Sequence, residues 1–93
     1  EFTVTGELEG RIRTVTWNDG RLSGDRETVL YIETLFDSLE GRKIHLPGGV
    51  STVQNHLSNP LSALIIICQQ YDRIDGVEGE IPELNGGCSQ CTE

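Results

Sequence analysis

The densest run of potential ligands in this chain is "YDRIDGVEGE". Asp72, Asp75, Glu78 and Glu80 stand there among Gly76 and Gly79. Calcium takes six to eight oxygen ligands in a flexible cage, and an acidic, glycine-rich loop can wrap one. The spacing departs from the EF-hand pattern of acids at alternate positions closed by a glutamate. "WNDGRLSGDRE" departs from it too, because Val15 and Trp17 occupy the early ligand positions. Its Asp19, Asp25 and Glu27 form a second oxygen cluster that could meet the first in space. The plainer reading is a solvated acidic loop, with Ca2+ the cofactor if the loop binds one.

The end of the chain, "GGCSQCTE", holds a Cys-x-x-Cys pair, Cys88 and Cys91. Two thiolates make half of a structural zinc site, which needs four ligands. Cys68 lies inside an apolar run and reads as a small buried hydrophobe. His45 and His56 have no mutual metal-binding spacing. A redox role needs the first cysteine at a helix N-terminus, where the dipole lowers its pKa. Only Thr92 and Glu93 follow Cys91 in this sequence, so no helix is expected behind the pair. The expectation is a flexible tail, 85–93, with the two cysteines disordered or joined to each other.

Three further features have structural explanations. "HLPGGVS" could offer backbone N–H groups to an anion, but it lacks the lysine of a phosphate loop and reads as a turn. The histidines, serines and carboxylates form no specific catalytic arrangement. Trp17 and Tyr31 are two of the few aromatics, and a core short of aromatics needs them inside. Trp17 becomes the leading interface residue only if it proves exposed.

These residues must be positioned by a chain of 93 residues carrying a formal net charge of −8. The length allows one modest core. The charge repels nucleic-acid phosphates and favours basic protein partners. No apolar stretch approaches the ~20 residues a membrane span needs. The odd cysteine count argues against a secreted disulfide scaffold, so the expected location is cytoplasmic. The chain contains no methionine, and it reads as processed or as a piece of a longer one.

Alternation of apolar residues with Thr and Glu predicts strands at about 2–8 and 11–17. Asp19-Gly20 turns the chain into a third at 20–23. The period then changes. Val29, Ile32, Leu35, Phe36 and Leu39 predict a helix over 26–40, with Asp25 as its cap and Gly41 as its stop. Ser51 is expected to cap a short helix through Leu57. Asn59-Pro60 opens a second main helix over 60–73. A short strand is expected near 77–81.

The expectation is thus an α+β domain spanning 1–84, with an antiparallel meander covered on one face by two helices. The function it suggests is that of a non-enzymatic, acidic binding or regulatory protein acting on another protein with a basic surface. Calcium binding through 72–80 is the alternative.

Overall fold

A computed structural model describes residues 1–46, 49–54 and 59–79. The elements run β1 (Phe2–Leu8), β2 (Arg11–Asn18), β3 (Arg21–Gly24), α1 (Arg26–Leu39), β4 (Lys43–Leu46), β5 (Gly49–Thr52), α2 (Pro60–Gln70) and β6 (Arg73–Gly79). The fold is α+β. One antiparallel sheet has the order β3-β2-β1-β6, and β4 and β5 form a separate two-stranded sheet.

β1 is a central strand, and its alternation decides the layers. Phe2, Val4 and Leu8 are buried, while Thr3, Thr5 and Glu7 lie on the outer face. Val15 and Trp17 of β2 join the buried face. Phe2 stands opposite Trp17, and their rings stack at 5.3 Å. Such a cross-strand aromatic pair stabilises the sheet and supplies much of a core with few aromatics. Across the outer face the Thr3 and Thr16 hydroxyls are 2.9 Å apart, and those of Thr5 and Thr14 are 3.1 Å apart. The outer threonines thus satisfy one another in pairs.

Asp25 starts α1 by accepting from the Thr28 backbone N–H at 3.2 Å and from its hydroxyl at 2.8 Å. The first bond satisfies a backbone N–H that a helix N-terminus would otherwise leave open, and the second satisfies the buried Thr28 hydroxyl. Thr28, Ile32 and Phe36, four residues apart, point into the core. Asn59 caps α2 in the same way, accepting from Leu61 and Ser62, and Pro60 occupies the first turn. Every residue from Leu61 to Cys68 is buried. A helix enclosed on all sides need not be amphipathic, which explains the unbroken "LSALIIIC".

Three expectations need correction. The second helix ends at Gln70, not at 73, and the last strand begins at Arg73, not near 77. The Asp72 N–H donates to the Glu7 carbonyl at 2.7 Å, which draws the chain out of the helix and alongside β1. Ser51 caps no helix, because it lies in β5 and pairs with Ile44. Backbone bonds from Gly41 N–H to the Val53 carbonyl and from Val53 N–H to the Arg42 carbonyl close that hairpin against the end of α1. The remainder of the expected short helix, 55–57, lies outside the described residues, as does the tail.

Candidate functional site

The acidic segment 73–79 is an edge strand rather than a loop, and its acids are dispersed. Asp72 accepts from the Glu9 N–H at 3.0 Å. Asp75 accepts from Arg73 Nε at 3.0 Å. It is the extra residue of a bulge, because Thr5 pairs with Gly76 while Gly6 pairs with Ile74. Glu78 pairs with Thr3 and is exposed on the outer face. Asp19 sits in the β2–β3 turn at φ 52°. Asp25 and Glu27 are held at the start of α1. Among the described residues, no three His, Cys, Asp or Glu side chains converge as a metal cage would require. Glu80, His56, Cys88 and Cys91 lie outside those residues. Cys68 is buried, and His45 is exposed.

Trp17 is 9% exposed, which leaves almost no surface for a partner to touch. Tyr31 is the aromatic that reaches the surface, at 42%, and its neighbour Leu30 is 63% exposed. The two stand over an open groove of about 370 Å³ between the β1–β2 turn and α1. Leu8 and Glu9 form one wall, and Glu27, Leu30, Tyr31 and Thr34 form the other. These four helix residues follow an i, i+3, i+4, i+7 pattern, so they share one face of α1. That face lies away from the buried Ile32 and Phe36, while Thr28, between the two, also lines the groove. The Tyr31 hydroxyl donates to Gln70 Oε1 at 3.2 Å, which steadies its ring against the end of α2.

Arg13 closes the inner end of the groove. It occupies an inward position of β2, and its side chain is only 11% exposed. One guanidinium nitrogen lies 2.5 Å from Asp25 and another 3.2 Å from Glu27. The hydrogen bond to Asp25 is the main reason the Arg13 pKa is raised. The Asp25 carboxyl is held below its ordinary value, first by the Thr28 hydroxyl and backbone N–H and then by Arg13. Close by, burial pushes the Tyr71 hydroxyl up to about 12. Tyr71 Oη and Arg13 Nε have no hydrogen-bond partner among the described residues.

A pH dependence follows from Asp25. Its folded pKa is depressed, so its contribution is complete above the ordinary value of 3.8 and disappears as pH falls through the lower folded value. Asp25→Asn keeps an N-capping oxygen but removes the titration. The melting temperature of wild type is expected to exceed that of the variant at neutral pH. The gap should close as the solution is acidified below pH 3.8. A gap that stays constant across that range would exclude the carboxylate as its source.

No family model, curated protein or solved structure matches this chain.

The groove was not singled out from the sequence, yet two signals pointed to it. Leu30 and Tyr31 are apolar residues that fall off the core stripe of α1. Glu9 precedes Gly10 at a turn position where Asn or Asp is usual. The second signal becomes informative only with the dihedral angle, because Glu9 has φ 53°.

Proposed function

We propose that this chain is a small, acidic, non-enzymatic binding protein with a regulatory role, and that its groove over α1 is the contact for another protein. The observation that carries the reading is the exposure of Leu30 and Tyr31 together, beside a concave surface. Exposed apolar residues scattered singly are ordinary, whereas an aromatic and an aliphatic side chain lining one groove fit the anatomy of an interaction site. The cytoplasm is the location proposed with it, in keeping with the odd count of three cysteines.

Sheet edges offer a less suitable route to a partner. β3 is four residues long, and β6 carries a bulge and the charges of Asp75 and Glu78. Short, bulged or charged edges are the usual means of blocking strand addition. No specific observation favours the calcium alternative, since the acids of 72–79 point to different partners.

The test is quantitative capture from cell extract on immobilised wild type and on the Leu30→Ala/Tyr31→Ala variant. Surface truncations of this kind leave the fold almost unchanged. Loss of two central contacts weakens a real complex by roughly tenfold or more. A protein held by wild type and released by the variant, at matched melting temperature, supports the reading. Equal capture of every protein by the two forms would reject it.

A further inference from the structure

Resting on the reading of the groove as a protein contact, we infer that its occupant is a basic amphipathic segment of a partner protein. An aliphatic side chain of that segment lies against Leu8, Leu30 and Tyr31, and a lysine or arginine sits between Glu9 and Glu27.

The charges of the groove select the sign of the partner. Arg13 is already engaged by Asp25 and Glu27, so its positive charge is offset locally. The Glu27 side chain nevertheless remains 77% exposed, with only Oε1 in contact with Arg13. Glu9, on the opposite lip, is the second acidic residue of the lining. A cation entering here meets two acidic residues and the part-exposed Tyr31, whose ring attracts cations through its quadrupole. A nucleic-acid phosphate would meet the same carboxylates and be repelled. So would a second copy of this chain, which carries −8 itself. The chain's own 80–93 segment contains Glu80, Glu83 and Glu93 and neither lysine nor arginine, so it is equally mismatched.

Glu9 adds an independent argument. The β1–β2 turn is Glu9-Gly10 at φ 53° and 80°, and the β2–β3 turn is Asp19-Gly20 at φ 52° and 81°. The two turns have nearly the same backbone, yet only the second uses a short polar side chain suited to the left-handed region. Glutamate at Glu9 gains nothing for the turn. The residue lines the groove, and strained residues of this kind gather where a ligand is held. A purely structural role for position 9 would be served better by asparagine.

The experiment records amide shifts of the 15N-labelled chain during titration with a synthetic lysine–leucine amphipathic peptide. Glutamine–leucine and glutamate–leucine versions of equal length serve as comparisons. Salt is held at about 0.15 M, where diffuse attraction is screened beyond ~8 Å. Saturable shifts confined to Leu8, Glu9, Glu27, Leu30, Tyr31 and Thr34 are expected for the basic peptide, with a Kd between roughly 1 μM and 1 mM. Glu9→Asn and Glu27→Gln should each weaken it by roughly two- to fivefold. Glu9→Asn should also melt no lower than wild type, which separates lost binding from lost folding.

Three outcomes would overturn the inference: unsaturated shifts spread over all the acids, equal binding of the glutamine peptide, or unchanged affinity in Glu9→Asn. Equal binding of the glutamine peptide within the groove would leave the groove standing as a contact while removing the basic partner. Capture that ignores Leu30 and Tyr31 would remove the contact itself.

Discussion

Gly6→Ala is expected to lower the melting temperature sharply. A Cβ at residue 6 would overlap the backbone carbonyl oxygen of Arg73 and press on Tyr71 Cδ2 at 2.5 Å. The backbone of Gly6 is ordinary strand, so alanine meets no dihedral penalty there and the whole effect is one of space. The site of approach is the β6 bulge, where the register with β1 shifts between Thr5 and Gly6. A glycine in a strand interior commonly marks such a close approach.

Relief would require the backbone of β6 to retreat from β1, and the Tyr71 ring to shift with it. We expect a loss near the upper end of overpacking, about 3 kcal/mol. For a domain of this size that amounts to roughly 12–24 °C in Tm, read by circular dichroism. Combining it with Tyr71→Ala should not rescue the fold, because the carbonyl stays in place. A fall of less than about 4 °C would show that β6 gives way easily at the bulge.

The second large effect is expected at Phe36, which is 1% exposed and is the largest inward side chain of α1. It lies with Val53, Ala63 and Ile66 where α1 meets α2 and the end of β5. Phe36→Ala removes that wedge and leaves a cavity, at a cost of about 3–5 kcal/mol. Total stability for a chain this long is roughly 5–14 kcal/mol, so the variant would be marginal. The β4–β5 hairpin should loosen first. It is a sheet of its own, tied to the end of α1 through Gly41, Arg42 and Val53. Amide exchange at 43–46 and 49–52 should therefore accelerate more than exchange in β1 and β2. A loss below about 1 kcal/mol would mean that α2 collapses into the space and the hairpin does not depend on Phe36.

Much of the fold was readable because local signals and burial agreed. Phe2, Val4 and Leu8 alternate as a strand must, and Asp25 and Asn59-Pro60 mark helix starts whose caps exist. The chain from 71 onward was harder. Tyr71 continues the helical spacing of Leu61, Leu64 and Cys68, yet its ring is taken by the space above Gly6, a residue distant in sequence. The Asp72 N–H is claimed by Glu7 in the same way. Such long-range partners leave no local periodicity to detect.

"IHLPGGVST" was ambiguous because strands of four residues are too short to display alternation. The candidate site divides similarly. The acids of 72–78 were visible as a cluster in one dimension, but a bulged strand sends their side chains to different partners. The groove needed two segments brought together, and only its off-stripe Leu30 and Tyr31 were visible beforehand.

The pairing of β1 with β6 has a consequence for synthesis. Glu9 and Asp72, which close that end of the sheet, are 63 positions apart. β1 can find β2 as soon as the hairpin leaves the ribosome, but its other edge stays bare until 73–79 emerge. At about 5–20 residues per second, that interval is roughly 3–13 s. For that time the chain exposes an unpaired strand carrying Phe2, Val4 and Leu8. Slowed translation between the two segments should therefore favour aggregation of the nascent protein, even though the finished sheet presents blunted edges.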